Sequence, residues 1–253
     1  MDVILIHGMF CGTQCWSLVD KLLHGQGIKA QKVSLHPDGL AKQGRGFDVV
    51  TASVQAQIQH WSNQRFVLVG HSLAALVVEK LLAGFPFAIP ILVNPSPGWG
   101  FFGPLYPLWV AAQRGLFWKG VVDINNIECR KLLFQGMSDK EFTSAIQVIE
   151  PESGELVRQA FWFFDVLGAS TRISRISTRD MFVLTGALDP MGSPKHSRRL
   201  ASRYGRGSSV EVVEKVGHMS ILQQAGAQKL VEKITAALDN QHNAVVHATK
   251  LAG

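Results

Sequence analysis

Short, wholly apolar runs alternate along the chain with longer stretches in which apolar residues return every three or four positions. Residues 3–6, 65–69, 90–93, 181–185 and 210–213 have strand length and little polar alternation, and 31–35 reads as a weaker strand. Between them lie predicted helices near 16–23, 49–61, 73–83, 193–204 and 221–238; in the second, Val50, Val54 and Ile58 recur on one face. Strands apolar on both faces and separated by helices predict an α/β fold with a mostly parallel sheet flanked by helices. Right-handed crossovers gather the C-terminal ends of such strands on one edge, where ligands of open sheets bind.

The alternation stops between Asn94 and Asp180, where no strand is evident and Pro95, Pro97, Pro104 and Pro107 interrupt the chain early. Helix-compatible segments follow near 108–118, 125–134, 139–149 and 153–167. The expected organisation is therefore a core of 1–94 and 181–239, a helical cap inserted at 95–180, and a polar C-terminal tail, 240–253, that frays. The first part of the insertion is rich in aromatic residues. Most of those rings are expected in the core and in the seam between cap and sheet. Trp99, Phe102, Trp109 and Phe117, with Phe10 and Met219, are the candidates for lining an apolar substrate pocket.

Composition narrows the class. Of 253 residues, 47% are hydrophobic and 17% charged, as in a globular protein with a sizeable core. No apolar run reaches the roughly 18 residues of a membrane span, so no stable membrane insertion is expected. The first residues lack a basic leader and a cleavage site, and the cysteines are few and odd in number; both point to a cytoplasmic protein. The net charge of +6 comes largely from Arg172, Arg175 and Arg179 and from Lys195, Arg198, Arg199, Arg203 and Arg206. The second group sits at helical spacing and reads as a solvated face. Without a nucleic-acid-binding signature beside it, no nucleic-acid partner is expected. Cys11 and Cys15 have no second ligand pair nearby, so no metal is expected; without a glycine-rich phosphate loop, neither is a cofactor.

The chemistry concentrates in four places. An apolar strand runs into Gly70-His71-Ser72-Leu73-Ala74 and at once into an apolar helix. A turn that sharp needs small neighbours and lifts the serine hydroxyl above the sheet edge, at the positive end of the helix. Val216-Gly217-His218-Met219 lies between the last strand and the last helix. Gly186-Ala187-Leu188-Asp189-Pro190 follows a strand and supplies a carboxylate. The first strand ends in His7-Gly8-Met9-Phe10. In this order the segments resemble the α/β-hydrolase superfamily, in its serine-nucleophile, esterase-like branch with a helical cap. The resemblance follows the element order of nearly the whole chain, the cap excepted, and starts on the family's first motif-bearing strand. It therefore implies a sheet of about six strands without the family's two leading ones. Ala74 stands where the family's motif usually ends in glycine.

What the resemblance implies is a triad of Ser72 as nucleophile, His218 as base and Asp189 as the orienting acid. The backbone N–H groups of Met9 and Leu73 would form the oxyanion hole, and His7 would brace its loop. Trp16 matches a family tryptophan downstream of the His-Gly pair, and with Gly12 and Cys15 it is similar to the plant methylesterase and hydroxynitrile-lyase branch. The expected activity is hydrolysis of an ester, thioester or lactone of a small, largely apolar substrate through an acyl-enzyme. A lyase, an acyl-transferring cyclase or a carbon–carbon bond hydrolase could use the same triad, and a non-enzymatic receptor is the remaining reading. A small-molecule substrate and a monomer or homodimer complete the expectation.

Overall fold

Six strands pair edge to edge, and every pairing is parallel, in the order β2-β1-β3-β4-β7-β8. They are β1 (Val3–Ile6), β2 (Ala30–Val33), β3 (Phe66–His71), β4 (Ala88–Val93), β7 (Phe182–Gly186) and β8 (Ser209–Val213). The computed structural model describes residues 3–37, 45–96, 120–124, 126–161 and 179–251. Helices α1 (Ser17–Gly25), α2 (Phe47–Ile58), α3 (Leu73–Leu81), α7 (Pro194–Ala201) and α8 (Gln224–Leu251) connect and cover the strands. Alternation within each strand divides the core into two layers. Ile4, Ile6, Phe66 and Leu68 pack on one side of the sheet with Val50, Val54 and Ile58 of α2. Val3, Leu5, Val67 and Val69 pack on the other with Val19 and Leu23 of α1 and Leu230 of α8.

The chain leaves β1 toward β2 on one side and leaves β3 toward β4 on the other, although β1 and β3 are neighbours. That reversal opens a crevice at the C-terminal ends of β1 and β3, the usual ligand site of an open parallel sheet. The register pairs Ile6 with Gly70, so the loops after both strands emerge side by side.

Within the insertion, the described residues contain β5 (Val121–Val122), α4 (Asn126–Leu132), α5 (Asp139–Ala145), β6 (Glu152–Ser153) and α6 (Gly154–Phe161). Helix α5 begins with a capping box: Ser138 accepts from the Glu141 N–H while Glu141 accepts from the Ser138 N–H. The expectation of a strand-free insertion needs correction, because β5 and β6 pair antiparallel. A ladder two residues long leaves no periodic trace. The expected helix 108–118, and with it Trp99, Phe102, Trp109 and Phe117, lies outside the described residues.

A second correction concerns 240–253, expected as a tail. The last helix, α8, continues to Leu251. The segment is polar, but no glycine or proline occurs from Ala227 through Ala252, and alanines recur within it, so nothing in its propensity stops the helix. Among the described residues, no helix is long and apolar enough to cross a membrane.

Candidate active site

Ser72 sits between β3 and α3 with φ 57° and ψ −122°, a left-handed backbone that costs a non-glycine residue about 1–3 kcal/mol. The turn is held from both sides: the Ser72 N–H donates to the Val93 carbonyl, and the Ser72 carbonyl accepts from the Ser96 N–H. The small residues of the motif have separate reasons. A Cβ on Gly70 would stand 2.5 Å from the Ala74 carbonyl oxygen, so strand and helix meet backbone to backbone there. Ala74 itself is fully buried, which shows that the last motif position accommodates a methyl group.

The His218 Nε2 lies 2.8 Å from the Ser72 Oγ, and its Nδ1 lies 2.9 Å from the Asp189 Oδ2. All three residues are buried. The Asp189 carboxylate can only accept from Nδ1–H, which leaves Nε2 as the acceptor for the serine hydroxyl. The other Asp189 oxygen takes the Met191 N–H at 2.7 Å, which fixes the carboxylate's rotation. Three distant loops thus bring a hydroxyl, an imidazole and a carboxylate into one chain of contacts.

Asn94 ties two of those loops together. Its Nδ2 donates to the carbonyls of Gly217 (3.0 Å) and His218 (2.8 Å), and its Oδ1 accepts from the Gly186 N–H (2.7 Å). A carboxylate there would set negative charge against two carbonyls, so the amide is the chemically matched choice. Asn94 also has φ 42°, which asparagine tolerates better than most residues. His71 buttresses His218 from behind: its Nε2–H donates to the His218 carbonyl at 3.0 Å, and the two ring centroids lie 4.9 Å apart. Burial, with the His218 charge second, holds the His71 pKa well below the ordinary histidine value. A neutral His71 adds no repulsion against a developing imidazolium. Trp16, fully buried, meets His71 edge-on.

The loop after β1 approaches the serine closely: a Cβ on Gly8 would stand 2.7 Å from the Ser72 Cβ. His7 braces it. The Leu35 N–H donates to His7 Nε2 at 3.1 Å, so Nδ1 carries the proton and donates to the Gly8 carbonyl at 2.8 Å. In a trans peptide the N–H points opposite to the carbonyl, so this bond directs the Met9 N–H away from His7. Neither the Met9 nor the Leu73 N–H has a hydrogen-bond partner among the described residues. Phe10 follows with φ 59°, a second strained position. Phe10 packs with Met9 and Leu73 in one core layer, and Met219 packs in the other with Leu133 and Phe134. Cys11 and Cys15 are buried free thiols.

Three nearby residues escaped the sequence reading. The Ser96 Oγ lies 3.5 Å from the Ser72 Oγ. The Glu152 Oε1 lies 2.7 Å from the His36 Nε2, and its Oε2 accepts from the Phe10 N–H at 3.3 Å. Glu152 and His36 are buried and 116 positions apart, and neither belongs to a motif.

Comparison with known proteins agrees with this architecture. A family model described as "Alpha/beta hydrolase family" matches residues 3–231. No curated protein matches the sequence. Among solved structures, tomato methylketone synthase I complexed with 2-tridecanone is similar with a TM-score of 0.68 at 13% identity, over 94% of this chain and 98% of that one. An extracellular alpha/beta-hydrolase from a Paenibacillus species gives a TM-score of 0.68 at 16% identity, over 92% and 96% of the two chains. The monoacylglycerol lipase of Paleococcus ferrophilus gives 0.62 at 17%, over 92% and 93%.

Proposed function

The chain belongs to the alpha/beta hydrolase family, and on that premise we propose that it is a serine hydrolase cleaving an ester, thioester or lactone of a small, largely apolar substrate. The observation that carries the proposal is the continuous contact from Ser72 Oγ through His218 to Asp189, at 2.8 and 2.9 Å, on a strained strand-to-helix turn.

In this reading His218 Nε2 takes the Ser72 proton as Oγ attacks the acyl carbon. The carbonyl electron pair moves onto oxygen and meets the N–H groups of Met9 and Leu73, each such donor being worth about 3–4 kcal/mol in the transition state. As the tetrahedral intermediate collapses, the bond to the leaving group breaks and His218 delivers the proton to it, leaving an acyl-serine. Water then repeats the sequence: His218 accepts its proton, the hydroxide part bonds to the acyl carbon, and the proton returns to Ser72 as the acid departs. Asp189 holds the imidazole in the required tautomer throughout, and Asn94 and His71 hold the loop that carries it. The cap, 95–180, would supply the apolar walls of the pocket, and the protein would act as a monomer or homodimer in the cytoplasm.

An alkyl fluorophosphonate should label the protein at one peptide, the one containing Ser72, and Ser72→Ala should abolish the label. Hydrolysis of short to medium chromogenic esters in water enriched in oxygen-18 should place the heavy isotope in the released acid. Labelling that persists in Ser72→Ala would sink the nucleophile assignment. Turnover without isotope in the product would favour a lyase or cyclase using the same residues.

A further inference from the structure

The loop that would form the oxyanion hole is held from outside the core, by a strip of the insertion running from Ile149 to Ser153. Its contacts fall on the backbone of Phe10 and Cys11. The Glu150 N–H donates to the Phe10 carbonyl at 2.9 Å, Ile149 and Cys11 form an antiparallel bridge, and the Glu152 carboxylate accepts from the Phe10 N–H at 3.3 Å. Both polar groups of the Phe10 backbone therefore end on the insertion. Glu152 is fully buried and is fixed by two further donors, the Ser153 N–H and the His36 Nε2, each 2.7 Å from Oε1.

A carboxylate at 0% exposure is costly unless its oxygens are satisfied, and three donors converge on this one. The one from the hydrolase core's own backbone comes from the residue with φ 59°. A peptide plane beside a strained residue relaxes by rotating, and rotation of the Met9–Phe10 plane drags the Gly8–Met9 plane, which carries the Met9 N–H. His7 holds the front of that pair of planes through the Gly8 carbonyl, and Glu152 holds the back through the Phe10 N–H.

We propose that Glu152 is a positioning residue for acyl transfer: from the insertion, it locks the Met9–Phe10 peptide so that the Met9 N–H stays aimed at the developing oxyanion. The proposal rests on the serine-hydrolase reading. It makes a correctly seated insertion a condition for a formed oxyanion hole, and it assigns Glu152 no contact with substrate.

The test uses the full chain with three substitutions, a chromogenic ester, and an alkyl phosphonate that counts competent Ser72, so that misfolded protein drops out of the rate. Glu152→Ala removes the acceptor. Glu152→Asp keeps the charge but is too short to reach Phe10. Glu152→Gln keeps the length but holds one accepting oxygen for three donors, so its amide N–H faces either the Ser153 or the Phe10 N–H. Expected per titrated serine is a fall in kcat of about 30-fold for Ala and about 10-fold for Asp, with KM within about threefold. Gln should fall between wild type and Ala. A trifluoromethyl ketone, whose adduct with Ser72 places an oxyanion in the hole, should lose affinity by the same factors. A purely structural role would lower Tm and the titrated fraction without moving kcat per serine. Wild-type kcat in the Ala or Asp variant, or unchanged ketone affinity in either, would overturn the proposal. A wild-type chain that takes neither phosphonate nor ester would overturn the hydrolase reading, a separate outcome.

Discussion

Two buried histidine–carboxylate pairs stand at the C-terminal edge of the sheet, built alike up to their last contact. Asp189 holds His218 with one oxygen at 2.9 Å and a backbone N–H, that of Met191, with the other at 2.7 Å. Glu152 holds His36 at 2.7 Å and the Phe10 N–H at 3.3 Å. The far nitrogen of His218 meets the Ser72 hydroxyl, whereas the far nitrogen of His36, Nδ1, has no hydrogen-bond partner among the described residues. In the proposed function the same pairing becomes a proton relay where the Ser72 hydroxyl completes it and a brace where a strained backbone does. A histidine beside a carboxylate, by itself, decides neither.

The largest effects should fall on the first pair. His218→Ala should lower kcat by about 10⁴-fold, and Asp189→Asn by a similar factor because the imidazole then loses its required tautomer. Steady-state ester hydrolysis reads both, and a loss in either below tenfold would break the comparison. Gly8→Ala comes next. Its methyl group would stand 2.7 Å from the Ser72 Cβ, forcing loop and nucleophile apart. About 10²-fold in kcat should be lost, with phosphonate labelling slowed in parallel.

His36→Ala should cost far less in rate, about tenfold in kcat. It should destabilise the fold by about 3 kcal/mol, since it leaves a buried carboxylate short of a donor. Urea unfolding read beside activity separates the two effects. If His36→Ala equalled His218→Ala in rate, the second pair would be chemical and not a brace.

A half-buried carboxylate sharpens the contrast because it has no histidine. Glu79, on α3, accepts from the Tyr204 hydroxyl at 2.6 Å, and burial pushes its pKa up from 4.5 to about 7. Between those values the folded state holds a proton that the unfolded chain has released, so stability should fall as pH rises from 4.5 toward 7. Glu79→Gln should flatten the Tm profile across that window, with kcat unchanged.

How much of this was legible in the chain depended on distance. The strand-to-helix turn at Ser72 could be read because strand, serine and helix are contiguous and the apolar runs on both sides fix their geometry. Asp189 and His218 could be read because each follows a strand end in a recurring order. The parallel sheet was visible because its central strands, β1, β3, β4 and β7, are apolar on both faces, unlike the edge strands β2 and β8. The Glu152–His36 pair left no signal: two isolated polar residues 116 positions apart differ in no local way from surface residues. The β5–β6 ladder was too short for periodicity to register. Polarity misled over residues 240–251, where helix propensity and a stretch without glycine or proline carry α8 on to Leu251.

The contacts between residues 149–152 and the loop at Phe10 fall on main-chain atoms of that loop, and this has a consequence for recombination. Side chains at Met9, Phe10 and Cys11 can be exchanged without touching those bonds, whereas a transplanted lid from a relative would bring its own pocket and omit the anionic latch. A chimera whose graft keeps a glutamate at position 152, opposite the core's His36, should inherit new selectivity and keep its turnover; one whose graft lacks it should bind its new ligand and process it slowly.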